Sequence, residues 1–236
     1  MLAALVVHDF RLRSAFKTKR YLDPYGEYTR LPINNFDEIA VTGANIANVK
    51  LTQGPYSVMV ANSDSNAIRI TQKGNRLQID VVYNSKDRED VYHNSYAVYV
   101  SCPSVSKLSY NSMAIVDKDT SLEQRAINTW FHKNTVFGFV LDSLTIDQDN
   151  GSYVTLDSNR IVRLAARVGA TKGSAPQMYI TDKNKIGEAR LWLHNYSKTE
   201  ISGKCIATPI TIVGDSATIT YRGTAGAEFE GQEVGP

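Results

Sequence analysis

The stretch "LTIDQDNGSYVTLDSNRIVRLAARV", residues 144–168, decides the fold class. It contains three short segments in which apolar and polar residues alternate, and this period of two is typical of half-buried strands. Asp, Asn, Gly and Ser fill the gaps between the segments, and these residue types favour turns. The stretch therefore predicts consecutive short strands with no helix between them.

The same pattern continues towards the C-terminus. Residues 177–202 contain three more such segments, and residues 208–223 contain a final pair. Strand centres recur roughly every 8 to 10 residues, the interval expected of all-β folds. Even strand spacing with loops of varying length favours a right-handed single-stranded β-helix, in which short strands stack coil upon coil. A β-sandwich, built from hairpins and Greek-key loops, is the runner-up.

The first half predicts strands that are less regular. Val49 and Leu51 alternate with polar residues, and residues 68–81 read as a hairpin in which Gly74 supplies the positive φ of the turn. Together with Val49 and Leu51, Phe36 and Ile39 are predicted to belong to the core. Residues 53 and 54, Gln and Gly, are predicted to form a turn.

One segment departs from the strand pattern. Residues 120–133, "TSLEQRAINTWFHK", have Thr120 and Glu123 at the spacing of a capping box, so we expect a helical turn or an excursion loop there. Its aromatic residues suggest an exposed interaction patch or a cap over the end of the fold. Trp192 alternates with two leucines and is expected to face outward on a strand. The candidate site residues are Trp130, Phe131, His132 and Trp192.

Composition excludes some classes of function. The chain carries 26 basic and 24 acidic residues, a net charge of +2, which argues against a dedicated nucleic-acid surface. Cys102 and Cys205 form no CxxC pair, so they predict neither a zinc ribbon nor a redox motif. We expect both to be small buried residues, and a disulfide in an oxidising compartment remains the alternative.

No catalytic or cofactor motif is present. The histidines (His8, His93, His132 and His194) lack zinc-ligand spacing, and residues 147–152, "DQDNGS", depart from the calcium-loop order. That segment is explained as a turn, because Asn150-Gly151 is a preferred hairpin dipeptide. We therefore predict no metal and no cofactor. Asp142, Asp147, Asp149 and Asp157 are the acids that a carbohydrate-active enzyme would need to bring together.

The N-terminus differs from the rest. "MLAALVV" is apolar and "HDFRLRSAFKTKR" is basic. The apolar run is too short to cross a bilayer, which needs about 20 residues. It is explained as a packed strand or short helix, or as the end of a truncated membrane helix. The predicted organisation is an N-terminal segment (1–30), a β-domain (31–226) and a C-terminal tail (227–236).

Residues 36–60, "FDEIAVTGANIANVKLTQGPYSVMV", carry a resemblance to a known family. Their Phe-x-x-Ile strand and their Val-x-Leu-x-Gln-Gly phrase, like the later "NGSYVTLDS" and "LWLHNYSKTEISG", resemble the bacterial "putative auto-transporter adhesin, head GIN domain" family of Bacteroidetes. The resemblance covers about residues 31–225. It implies a β-helical fold in the cell envelope, outside the cytoplasm, without an established enzymatic activity.

The sequence thus predicts a non-enzymatic envelope module that acts as a scaffold or binds an unidentified protein or glycan, and whose N-terminal segment either packs on the domain or tethers it to a membrane. A carbohydrate-active enzyme that uses turn carboxylates is one alternative. A self-associating structural element is another, because strand edges pair readily.

Overall fold

The computed structural model describes residues 25–86, 96–122, 134–214 and 216–223. Within these ranges the chain forms two large sheets and one short 3-10 helix, Asn62–Asp64. In spatial order, sheet A contains β1 (Tyr28–Leu31), β4 (Ser57–Ala61), β7 (Val98–Cys102), β3 (Val49–Gln53), β11 (Asn134–Phe137), β13 (Tyr153–Asp157), β15 (Gln177–Ile180), β17 (Lys198–Ser202) and β19 (Thr218–Arg222).

Sheet B follows the same plan. It contains β10 (Asp119–Leu122), β9 (Met113–Val116), β6 (Arg76–Tyr83), β2 (Glu38–Thr42), β8 (Lys107–Asn111), β12 (Val140–Gln148), β14 (Arg160–Val168), β16 (Lys185–Leu193) and β18 (Ile206–Val213), with β5 (Ile68–Lys73) paired to β6. The all-β prediction is therefore confirmed.

From β11 onward, successive strands alternate between the two sheets. Each pairs in parallel with the strand two places further along the chain. In sheet B, Leu144 lies beside Leu164, which lies beside Ala189, and all three side chains are buried. Because the register does not slip, the same face of every strand points inward.

The inward side chains of both sheets form one hydrophobic cluster. The predicted core residues Phe36, Ile39, Val49 and Leu51 are at most 2% exposed, so that prediction is confirmed. Gln53 ends β3, and a bend follows at Gly54. The predicted hairpin is also present, with β5 and β6 antiparallel and a φ of 62° at Gly74.

At the N-terminal end of sheet A, β1 pairs antiparallel with β4. A group of tyrosine rings holds this strand on the outer face. The Tyr28 and Tyr99 rings meet edge to face at 5.2 Å between centroids, and Tyr28 Oη donates to the Tyr96 carbonyl at 2.9 Å. Burial is the main reason that the pKa of Tyr28 is raised to about 12. The cluster therefore attaches β1 to the sheet.

Two local predictions need correction. Thr120 does not cap a helix, because it lies in β10, which pairs antiparallel with β9. Residues 123–133 lie outside the described residues. Asn150-Gly151 forms a turn with positive φ at both residues, but not a hairpin, since β12 and β13 belong to different sheets. The dipeptide reverses the chain between sheets, a geometry that alternation in one strand does not reveal.

The connections from sheet A to sheet B pass through buried asparagines. Asn159 and Asn184 each stand directly before a sheet B strand and are at most 2% exposed. Asn159 Nδ2 donates to the Val136 carbonyl at 3.0 Å and to Asn184 Oδ1 at 3.0 Å, while its Oδ1 accepts from the Phe139 amide at 3.0 Å. We call this pair the asparagine corner. It satisfies backbone groups that would otherwise be buried without a partner.

Candidate functional site

The opposite corner, where sheet B strands lead into sheet A strands, carries a surface depression of about 510 Å³. It opens on the outer face of sheet B at the ends of β12, β14 and β16. We call it the corner depression. Its volume is within the range of small-molecule sites. The lining residues are Thr145, Ala165, Arg167, Val168, Gly169, Ala170, Trp192 and His194.

The side chains that line the depression come from distant parts of the chain, and the parallel register of the strands brings them together. Asp147 lies beside Arg167, and Arg167 lies beside Trp192. Neighbouring strands are about 4.8 Å apart, so these outward side chains form a continuous row. Trp192 is half-buried in this row and lines the depression.

The depression is lined by short as well as long side chains. Ala165, Gly169 and Ala170, which we call the floor, line it together with the larger Arg167, Trp192 and His194. Gly169 has a φ of 89°, and a Cβ built there would collide with the carbonyl oxygen of His194. Glycine is therefore required at this position by both backbone conformation and space.

The turn that contains Gly169 and Ala170 is held by hydrogen bonds from both neighbouring turns. Residues 169–176 link β14 to β15, whereas the turns before and after it, 149–152 and 194–197, have four residues each. The Asp149 carboxylate accepts from the Thr171 amide at 3.1 Å and from the Thr171 hydroxyl at 2.5 Å. Asn195 Nδ2 donates to the Gly169 carbonyl at 2.7 Å. The longer turn is thus fixed by its two neighbours.

Ion pairs fix the position of Arg167. Its Nε donates to Asp147 Oδ1 at 2.8 Å, and Lys107 Nζ lies 3.0 Å from Asp147 Oδ2. Partial burial alone would raise the pKa of the Asp147 carboxyl, but the hydrogen bonds and charges of Arg167 and Lys107 outweigh it and leave that pKa below its ordinary value. Asp147 is therefore ionised at neutral pH and orients the guanidinium beside Trp192.

The structure places the predicted site residues in two groups. Trp192 faces outward, as its alternation indicates, and lines the depression. Trp130, Phe131 and His132 lie outside the described residues. Sequence reasoning did not identify Arg167, Thr145 or His194, because they come from three strands or strand ends about 20 to 50 residues apart. Only the parallel register joins them.

The four aspartates considered for catalysis do not meet. Asp142 and Asp147 lie on β12, Asp149 lies in the following turn, and Asp157 ends β13 in the other sheet. Asp147 is engaged by two cations, and Asp157 accepts from the Thr181 hydroxyl at 2.8 Å. Across the described ranges, no group of three or more His, Cys, Asp or Glu residues is arranged to hold a metal ion.

The two cysteines are buried and free. Burial is the main cause that raises the pKa of Cys102 to about 12 and that of Cys205 to about 11. Both groups are therefore neutral thiols near pH 7, in agreement with the prediction that they are buried. A thiol that is not ionised is a poor nucleophile.

No family model matches the chain, and no curated protein matches it. Solved structures that match the chain include a "putative adhesin" from Bacteroides fragilis, which is 11% identical, has a TM-score of 0.42 and aligns over 83% of this chain and 96% of that chain. A "Putative lipid binding protein" from Parabacteroides distasonis is 11% identical, with a TM-score of 0.28 over 84% and 96% of the two chains.

A "putative adhesin" from Parabacteroides merdae is 11% identical, with a TM-score of 0.27 over 83% and 95% of the two chains. At this level of similarity these structures assign neither a family nor a ligand. The described part of the chain also contains no helix with the length and apolar character needed to cross a membrane.

Proposed function

We propose that the protein is a non-enzymatic binding module of the bacterial cell envelope, and that it holds its ligand in the corner depression. One observation carries this proposal: Trp192 and Arg167 wall a depression whose floor is held by hydrogen bonds from both neighbouring turns. A preformed site of this kind binds without first having to order its own loops.

We further propose that the domain is a right-handed β-helix. The alternation of strands between two sheets and their unbroken parallel register from β11 to β19 support this assignment. We propose that residues 31–226 form this domain, that the segment before it tethers the domain to a membrane, and that the residues after it form a C-terminal tail. Both flanking segments are proposals drawn from the sequence alone.

The lining of the depression fits binding better than catalysis. None of its eight residues is a carboxylate or a cysteine, whereas glycosidic chemistry needs two carboxyl groups at a fixed separation. Arg167, Thr145 and His194 supply hydrogen-bonding groups, and Trp192 supplies a flat apolar surface. This combination can orient a polar ligand without attacking it.

The test is a Trp192→Ala substitution in the full chain. The immobilised protein is exposed to soluble polysaccharides and to purified cell-surface proteins, and binding is measured by interferometry. We expect the wild type to retain at least one partner, the variant to bind it at least tenfold more weakly, and a bound polysaccharide to be recovered at its original length. Binding that does not depend on Trp192 would contradict the site, and shortened chains would establish an enzyme instead.

Self-association is a second candidate, because the last strand of sheet B is apolar on its outer face. Ile210 and Ile212 are 44% and 41% exposed and lie beside Arg190 and Trp192. The Gly214 amide donates to the Leu193 carbonyl at 2.7 Å, so every second backbone nitrogen of β18 points towards β16. The nitrogen of Pro209 points the other way, towards the edge that pairs with no other described strand, and it has no hydrogen to donate there. Association through the isoleucine face would appear as a mass that rises with concentration in light scattering, and a strict monomer would exclude it.

A further inference from the structure

Tyr196, two residues after His194, has a backbone conformation that is unfavourable for a tyrosine. Its φ is 63° and that of Asn195 is 51°. The Ser197 amide donates to the His194 carbonyl at 3.1 Å and closes a four-residue turn. Two central residues with positive φ are the mark of a type I′ turn, which prefers glycine at the second of them. A bulky side chain there is an outlier.

An equivalent turn in the same molecule avoids this strain. Residues 149–152 connect β12 to β13, and the Ser152 amide donates to the Asp149 carbonyl at 3.3 Å. Their central residues, Asn150 and Gly151, have φ values of 51° and 70°. Gly151 thus occupies the place of Tyr196 without steric cost. Glycine is thus suited to this position of the turn, but position 196 is a tyrosine.

Packing in the core does not explain the tyrosine, because its side chain is 58% exposed. Its backbone is nevertheless fixed beside the corner depression. The Asn195 side chain donates to the Gly169 carbonyl at 2.7 Å, and the Ala175 amide donates to the Asn195 carbonyl at 3.0 Å. Tyr196 is therefore held next to a residue that is attached to the 169–176 turn, and it follows Trp192 by four residues in sequence. Strained residues of this kind cluster at ligand sites.

The chemistry around the depression favours one class of ligand. An aromatic face is electron-rich, so it attracts the polarised C–H groups on the flat side of a sugar ring. Arg167 uses Nε to bind Asp147, and its two terminal nitrogens can donate to hydroxyl groups at the edge of that ring. Thr145 adds a hydroxyl that can donate or accept. The low floor of alanine and glycine leaves room for a flat ring between these groups.

We infer that the ligand of the corner depression is an oligosaccharide and that Tyr196 is a second aromatic residue in contact with it. This inference rests on the proposed function, since it assigns a ligand class and a further residue to the same site. The strained turn then has a role: it presents an exposed ring next to the Trp192 wall.

The experiment measures affinity and thermal stability together in the full chain. The probes are chitohexaose, a neutral hexasaccharide, and a hyaluronan hexasaccharide, an acidic one, each titrated against intrinsic fluorescence and confirmed by calorimetry. Tyr196→Gly removes the ring and relieves the backbone. We expect it to bind at least fivefold more weakly and to melt about 2–4 °C higher. Tyr196→Phe keeps the ring and should bind within twofold of the wild type.

The control is Phe137→Ala, which removes a ring that is 39% exposed on the outer face of sheet A and should leave affinity unchanged. If Trp192→Ala weakens binding and Tyr196→Gly does not, the role of Tyr196 is refuted while the proposed function stands. If neither hexasaccharide binds but a protein ligand depends on Trp192, the oligosaccharide class is refuted. If no ligand depends on Trp192, the proposed function itself fails.

Discussion

The asparagine corner and the corner depression lie at opposite connections between sheet A and sheet B, and they use polar residues in opposite ways. At the asparagine corner, Asn159 and Asn184 are buried, and their side chains donate to backbone carbonyls of sheet A strands. At the depression, Asp149 and Asn195 hold an exposed turn, and Arg167 keeps donors free for a ligand. The first corner stabilises the stack, and the second presents a surface.

The largest expected effect comes from breaking the asparagine corner. Asn159→Leu keeps the approximate volume but leaves the Phe139 amide without its partner, and it removes the two hydrogen bonds that Asn159 Nδ2 donates to the Val136 carbonyl and to Asn184 Oδ1. Because a buried unsatisfied group costs about 1–3 kcal/mol and each lost hydrogen bond about 1 kcal/mol, we expect a loss of about 4 kcal/mol in the free energy of unfolding. Denaturant titration measures it.

A control removes a hydrogen bond at the depression instead. Thr171 is exposed, and its hydroxyl donates to the Asp149 carboxylate at 2.5 Å. Thr171→Val should therefore cost less than half as much as Asn159→Leu. Equal losses at the two positions would show that the corners do not differ in the way described.

The sequence predicts one side of this comparison better than the other. Period-two alternation is local, so it predicts β12, β14 and β16 and the outward direction of Trp192. In contrast, Asn159 and Asn184 stand in "DSNR" and "DKNK", which are ordinary turn phrases. Nothing in a single strand shows that the neighbouring strands and turns will cover them. Burial at a corner depends on the register between neighbouring strands.

The sequence does not predict the depression, for the same reason. Thr145, Arg167 and Trp192 are more than about 20 residues apart in sequence, and they meet only because β12, β14 and β16 pair without a shift. The Asn150-Gly151 turn shows the same limit of sequence analysis in a local element. Its residues predict positive φ correctly, but not which strands the turn connects.

Two glycine substitutions test how the depression is built. In Gly169→Ala the added Cβ would meet the carbonyl oxygen of His194 at a φ of 89°. Backbone cannot move aside easily, so we expect a loss of about 3 kcal/mol in the free energy of unfolding. In Gly214→Ala the Cβ would meet the imidazole ring of His194, which can rotate away.

Gly214→Ala should therefore cost less than about 1 kcal/mol, within the range of tolerated surface changes. It should still weaken ligand binding, because the displaced ring lines the depression. Thermal melting and the binding assay, run on both variants, separate these effects. A stable Gly169→Ala protein, or a Gly214→Ala protein as unstable as it, would contradict the assigned contacts.

The smallest effect concerns the ion pairs that orient Arg167, and it depends on pH. The pKa of Asp147 is lowered in the folded protein, so its contribution to stability is present above the ordinary aspartate pKa, about 4, and is lost as the pH falls through the lower folded value. Asp147 is partly exposed, so we expect Asp147→Asn to lose less than about 1 kcal/mol at pH 7. The difference in melting temperature between wild type and variant should then shrink as the pH falls below about 4. A difference that stays constant from pH 7 to pH 3 would mean that the charge of Asp147 does not hold the guanidinium, and that Arg167 is positioned by packing against Trp192 instead.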